Sequence, residues 1–338
     1  MCEYSSEDGF ANDWHLVHLG ARAVGGAGLV MTEATAVEAD GRITYADLGI
    51  YKDEHIAMLR RITAFLRSQR AVPGIQLAHA GRKASTEVPW AGGGPIAPGT
   101  KNGWQVMAPS ATPFTEGGPT PREMTHGEIE RVVRAFAVAA RRALDAGFEV
   151  IEIHSAHGYL IHQFLSPLSN LRTDEFGGSL ENRVRMVLAI ISAVRGEIGT
   201  HVPLFLRISA TDWVEGGWDI EQSVELARRA GPLGVDLIDV SSGGSVMNAK
   251  IPMAPGFQVP FAERIRKEAR VMTGAVGLIT GADQAEAILH AAQADLILMA
   301  REFLRDPYFP IHAAHSMSAP LTVPVQYLRA FPGSVPRD

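Results

Sequence analysis

Seven short runs in this chain begin apolar and end in polar residues or glycine, and helix-like segments separate several of them. They are GLVMTEATAV (28–37), PGIQLAHAG (73–81), EVIEIHSAHG (149–158), PLFLRISATD (203–212), VDLIDVSSGG (235–244), AVGLITG (275–281) and ADLILMAREF (294–303). A continuous apolar core suits a strand buried on both faces, as in a parallel sheet. Parallel strands need crossovers, and helical spacing of apolar residues over 126–147, 179–199, 220–231 and 283–293 supplies them, with Gly147 ending the first. Such repeats give either an open doubly wound sheet or a closed barrel. Seven units favour the barrel, an α/β chain of the (β/α)8 TIM type that one domain of 338 residues can fill.

That barrel needs one strand more than the seven seen. The stretch before Gly28, NDWHLVHLGARAVGG, reads as helix plus loop. The first strand is therefore expected ahead of residue 1, missing or truncated at the N-terminus.

Composition narrows the function classes. The net charge of −6 and the lack of a long basic run speak against a nucleic-acid surface. The lone cysteine, Cys2, excludes an intrachain disulfide framework and any cysteine-rich cluster within one chain. The opening MCEYSSEDGF has no basic-then-apolar signal pattern, and no apolar run is long enough to span a membrane. A cytoplasmic protein is the expectation. Residues 82–124 form a long stretch rich in Gly, Pro, Thr and Trp after a strand, so they read as a lid or pocket wall on the catalytic face of the barrel; an inert surface excursion is the alternative.

Strand ends converge on one pocket in a barrel. Here they supply Glu33, Ala34 and Thr35; Gln76 and His79; His154, His157 and Tyr159; Arg207; Ser241, Ser242 and Gly243; Gly277; and Arg301. His154 and His157 could bind a metal with Glu152, which shares the strand face of His154. They could equally polarise a substrate oxygen with Tyr159 as proton donor, or be structural. Arg207 lies in an apolar strand, so it must pair with a buried acid or hold an anion or an electron-rich cofactor ring. Gly277 and Gly281 permit close backbone approach and Arg301 can fork onto phosphate, unless these are ordinary turns and a surface arginine. No GxGxxG follows a strand and opens a helix, so a nicotinamide would have to bind in some other way.

Taken together, the chain resembles the old yellow enzyme family of flavin ene-reductases, in its bacterial branch of xenobiotic reductases and NADPH dehydrogenases. The likeness runs through MCEYSSEDG, EATAVEADGRIT, GIQLAHAGRKAS and EVIEIHSAHGYLIHQFLSPLSNLRTDEFGGSLENR, and later through VDLIDVSSGG, TGAVGLIT, LILMAREFLRDPYF and PVQYLRAF. The resemblance implies an FMN-dependent enzyme that takes a hydride from NADPH or NADH and passes it to an activated alkene, such as an enone, a maleimide or a nitro compound. It implies that His154 and His157 hold the substrate oxygen and that Tyr159 delivers the proton. It implies that Gln76 bonds the flavin ring, Arg207 sits at its N1/O2 edge, and Gly277, Ala300 and Arg301 hold the phosphate. Ala34 and Cys2 would lie beside the flavin, Tyr4 in the substrate pocket. Arg329 in the tail 324–338 would reach a neighbouring subunit of a homodimer or homotetramer.

Two departures accompany the resemblance. The family carries a segment with strand one ahead of the MCxY stretch, so Met1 and Cys2 would be the last residues of that strand. Ala300 stands where glycine often precedes the phosphate arginine, which is tolerable if the backbone angle there is negative. Three rivals remain: a metal-dependent barrel hydrolase using His154 and His157; a larger iron–sulfur relative, which one cysteine argues against; and a flavin-binding protein inactive through loss of strand one.

Overall fold

The computed structural model describes residues 1–337. Seven parallel strands form one sheet: β1 (Leu29–Ala36), β2 (Val72–Ala78), β3 (Val150–Ser155), β4 (Leu204–Ser209), β5 (Leu237–Ser241), β6 (Met272–Ala275) and β7 (Leu296–Ile297). Spatial order follows chain order throughout. A doubly wound sheet would reverse direction at a switch point. Here every crossover advances the same way, which is barrel winding. β1 and β7 end the strand order and do not pair with each other. The strand expected ahead of residue 1 lies outside the described residues, and residues 1–6 are not in a strand.

The helices are α1 (Asp13–Val24), α2 (Ile56–Ser68), α3 (His126–Asp145), α4 (Arg185–Ile198), α5 (Ile220–Ala230), α6 (Val259–Ala269) and α7 (Ala282–His290), with shorter turns between them. Thr125 starts α3 with a capping box: its hydroxyl accepts from the Glu128 backbone N–H while the Glu128 carboxylate accepts from the Thr125 backbone N–H. Asp219 caps α5 through the Gln222 N–H. Ile129, Val132 and Phe136 of α3 and Ile190, Ile191 and Val194 of α4 are fully buried in the shell between helices and sheet.

Alternate residues of each strand fill the barrel interior in layers. The lowest layer is apolar: Val150, Phe205 and Leu237, packed with Leu29 and Met31. Two residues further along the same strands the layer turns ionic, with Glu152, Arg207 and Asp239 beside Gln76. Two residues further still are His154, Ser209 and Ser241. An irregularity between Met31 and Ala34 shifts the β1 register so that Ala34 pairs with Gln76. That bulge brings Ala34 level with the polar layers.

Two expected strands differ from those observed. The run 275–281 is not a strand: β6 ends at Ala275, because Gly277 (φ 112°) and Leu278 (φ 50°) adopt left-handed backbone that no strand can continue. The run 294–303 is a strand only over Leu296–Ile297, after which Arg301–Arg305 is helical. Residues 82–124 are not structureless. Arg82 donates to the carbonyls of Thr112 and Ser245, and Met107–Ala108 pairs with Arg122–Glu123.

Candidate active site

β3 ends at Ser155, and the chain then makes a tight turn with two successive left-handed residues, His157 (φ 59°) and Gly158 (φ 71°). His157 is a costly residue for that conformation, so its surroundings must hold it. They do. Its N–H donates to Ser209 Oγ (2.9 Å) and its carbonyl accepts from Lys83 Nζ (2.8 Å). The Gly158 N–H donates to His162 Nδ1 (2.9 Å). His162 Nε2 in turn lies 3.0 Å from Asp212 Oδ1, with both side chains fully buried. Gly244 closes the turn from β5, where a Cβ would stand 2.6 Å from the His157 backbone.

This clamp determines how the histidines can protonate. The Ala156 N–H donates to His154 Nδ1 (3.2 Å), so a neutral His154 carries its proton on Nε2. That nitrogen lies 3.3 Å from His157 Nδ1, and His157 Nε2 lies 2.8 Å from Ser241 Oγ. Burial pushes both imidazole pKa values well down, and Arg207 and Lys83 push the same way. The pair is thus neutral and offers N–H donors rather than cations. Tyr159 stands edge-on to His154, with ring centres 5.2 Å apart, and Lys83 Nζ lies 5.0 Å from the Tyr159 ring centre. Burial raises the Tyr159 pKa well above the ordinary value, so the phenol keeps its proton at neutral pH. Its hydroxyl makes no hydrogen bond among the described residues.

Across the mouth, Tyr4 and Cys2 lie close enough for the Cys2 side chain to help raise the Tyr4 pKa, after burial. Burial pushes the thiol pKa up, as do the nearby carboxyls of Asp47 and Glu33. Asp47 is itself buried and pushed up to about 7 by desolvation, against hydrogen bonds from Thr44 and the Ile43 N–H. Ala34, Asp47, Ala78 and Tyr159 line one small pocket. Trp90, in the 82–124 segment, packs edge-on against Tyr4, with ring centres 6.1 Å apart. Gln76 Nε2 donates to Glu152 Oε1 (2.6 Å), and Arg207 Nη1 donates to Asp239 Oδ2 (2.7 Å).

Gly277, Ala300 and Arg301 lie at the neighbouring ends of β6 and β7, where the Leu298 N–H bonds the Ala275 carbonyl (2.9 Å). Ala300 has φ −116°, so the backbone demands no glycine there. Arg301 is exposed and has no acidic partner among the described residues. Arg329 is exposed in the turn after Val325–Tyr327 and does not join the cluster within this chain. The structure brings most of the residues singled out from the sequence to the barrel mouth, and His162, Asp212, Lys83, Asp47 and Gln258, which the sequence reading did not name, lie among them. His162 and Lys83 follow the expected site residues within a few positions, which was the available signal.

Three observations test the fit of an FMN. Arg207 pairs through Nη1 only, and its buried Nε has no partner. Gly277 has φ 112° and a Cβ there would come 2.5 Å from Gln258 Nε2, so only glycine keeps this backbone at the strand end. Exposed Arg301 stands at the adjoining strand end. A cation for an electron-rich ring and a glycine–arginine rim for a phosphate fit a flavin nucleotide. A metal fits less well. Glu152 is committed to Gln76, and no carboxylate joins His154 and His157 in a ligand cluster among the described residues.

A barrel-wound sheet with neutral imidazole donors, a protonated phenol and an arginine with a free nitrogen at the strand ends fits a flavin-dependent oxidoreductase. The chain belongs to the NADH:flavin oxidoreductase / NADH oxidase family, whose model matches residues 1–319, and so to the FMN-dependent old yellow enzymes. It is 51% identical to an NADPH dehydrogenase of a Geobacillus species, over 98% of this chain and 92% of that protein. It is 47% identical to the NADPH dehydrogenase of Bacillus subtilis, over 98% and 93%. The solved structure of morphinone reductase in complex with tetrahydroNAD is similar, with a TM-score of 0.75, 26% identity and cover of 100% of this chain and 92% of that one.

The His162 clamp makes a prediction. His162→Phe removes the acceptor of the buried Gly158 N–H and the partner of Asp212. Loss of one such buried bond costs about 1–3 kcal/mol. Chemical denaturation should register that loss, together with a raised KM for the alkene and a nearly unchanged rate of reaction with the nicotinamide.

Proposed function

We propose that this chain reduces activated C=C bonds of enones, maleimides and nitro compounds with NADPH as electron donor. The observation that carries the reading is the convergence of two neutral imidazoles and a protonated, unbonded phenol on one face of the barrel mouth. FMN, when bound, supplies the two-electron carrier that accepts a hydride from the nicotinamide and gives it to the substrate. Gln76 would bond its ring, with a carbonyl oxygen left over after the amide donates to Glu152. Arg207 would lie at the ring's N1/O2 edge, Ala34 and Cys2 beside it, and Gly277, Ala300 and Arg301 around its phosphate.

His154 Nε2–H and His157 Nδ1–H would donate together to the substrate oxygen and draw electron density from the alkene. For this His157 must carry its proton on Nδ1, and the Ser241 hydroxyl can then donate to Nε2. Tyr159 would hand its proton to the α-carbon. The high pKa of the phenol ensures that it gives the proton up only to a strong base. Tyr4, the 82–124 segment and Arg329 of a neighbouring copy would shape the pocket, in a cytoplasmic homodimer or homotetramer of single-domain chains.

The visible spectrum of the full chain, incubated with FMN and desalted, tests this. A bound-flavin spectrum that bleaches anaerobically with NADPH and recovers with cyclohexenone is the expected result. Recovery with oxygen but with no alkene would sink the ene-reductase reading. Gly277→Ala should weaken FMN retention at least tenfold in a fluorescence titration, because the new methyl strikes Gln258 at φ 112°. Unchanged affinity would move the phosphate elsewhere.

A further inference from the structure

Glu152 and Asp239 are both about 99–100% buried, on strands flanking β4, and Arg207 projects between them. The negative charge of Asp239 acts on Glu152 and raises its affinity for a proton. Each keeps one oxygen, Glu152 Oε2 and Asp239 Oδ1, that no N–H or hydroxyl donor satisfies. Two like charges in one buried site cannot both persist, so one carboxyl keeps its proton. The charge count requires the same proton. β2 contributes neutral Gln76, β4 contributes Arg207, β5 contributes Asp239, and β6 presents Gly274 opposite Asp239. His154, two residues along from Glu152, is neutral. Among the described residues, Arg207 is the one cation acting on either carboxyl. One guanidinium neutralises one carboxylate, and a second negative charge buried there would stand uncompensated.

We infer that Glu152 and Asp239 share a single proton beneath Arg207 and are positioning residues for it, so that they set how the flavin's reduction potential depends on pH. This rests on the reading that places Arg207 at the flavin ring. With the proton in place the layer is neutral, and Arg207 can still face the negative charge that FMN gains on reduction. When the proton leaves, the layer becomes negative and opposes that charge. Desolvation pushes Glu152 up to about 8, against the attraction of Arg207, so the proton is held at neutral pH and lost above it. Charge gained on the flavin raises the affinity of Glu152 for this proton further. Above pH about 8, reduction therefore takes up one more proton for two electrons. The sign is fixed: the potential falls more steeply with pH in that window, by about 30 mV per pH unit beyond the flavin's own slope.

Two measurements on the full chain test this. The first is an infrared spectrum in H2O and D2O from pH 6 to 10. A protonated-carboxyl C=O band that shifts on deuteration, titrates away above pH about 8 and is lost in Glu152→Gln is the expected result. The second is the midpoint potential of the FMN-loaded protein over the same range. The wild type should show the steeper segment. Glu152→Gln should lack it, since its amide is neutral at every pH. Asp239→Asn should lack it too, because Glu152 then neutralises Arg207 as a plain carboxylate. A merely structural role for the acids would leave the slope unchanged in both variants. No protonated-carboxyl band in the wild type, or a steep segment that survives Glu152→Gln, overturns the inference. The infrared test needs no flavin, so a chain that binds no FMN would remove the functional reading while the shared proton is still decided.

Discussion

Tyr159→Phe should slow alkene reduction by about 10²–10⁴-fold, the usual contribution of a positioned proton donor. Reaction with NADPH should change less than a few-fold, because no proton from the phenol is needed there. Rapid-mixing kinetics of the two half-reactions separate the effects. The loss should also be selective for substrates whose α-carbon must be protonated. The substitution removes only a hydroxyl that makes no hydrogen bond among the described residues, so folding should be untouched. The edge-on contact with His154 at 5.2 Å uses the ring, which phenylalanine keeps. Equal slowing of both half-reactions would show that the hydroxyl acts on the flavin's surroundings and not on the substrate.

The largest stability effect belongs to Arg207. Arg207→Met leaves Asp239 buried without its cation, next to Glu152. Breaking a buried ion pair by removing one partner costs about 3–5 kcal/mol. Chemical denaturation should read that loss in the FMN-free protein, where cofactor binding cannot mask it. Pairing the change with Asp239→Asn should restore most of the stability, since the buried charge is then gone as well. The double variant should still bind FMN with a lowered potential, because the cation is absent in both. A single variant as stable as the wild type would mean that water or another cation reaches Asp239.

The clamp around His157 explains why these substitutions can be local. The turn is held by Ser209, Lys83, His162 and Gly244, which come from four separate segments of the chain. Its left-handed backbone is fixed before any ligand arrives. That arrangement keeps the donors oriented at no cost in the transition state.

Much of this was legible in the residues. Buried parallel strands announce themselves as unbroken apolar runs, so five of the seven were found nearly in place, from Leu29–Ala36 to Leu237–Ser241. Arg207 stood out because a charge inside such a run demands a partner. The same logic applied to Glu152 in VIEIHS and Asp239 in LIDVS would have found the ionic layer. Strands β6 and β7 were misjudged because apolar residues at 276–279 line a loop whose left-handed backbone depends on Gly277 and Leu278, and periodicity carries no backbone sign. The count of seven units favoured barrel winding, but the strand–helix repeat itself did not separate it from double winding. Both use the same strand–helix repeat, and only the spatial order of the strands tells them apart. The tautomers of His154 and His157 were equally hidden, since they depend on which backbone N–H meets which ring nitrogen across the fold. Local pattern therefore determined the elements and their chemistry, because burial and periodicity act over a few residues. The tertiary structure alone decided which charges neutralise one another and which protons stay, because those energies depend on distances between residues far apart in the chain.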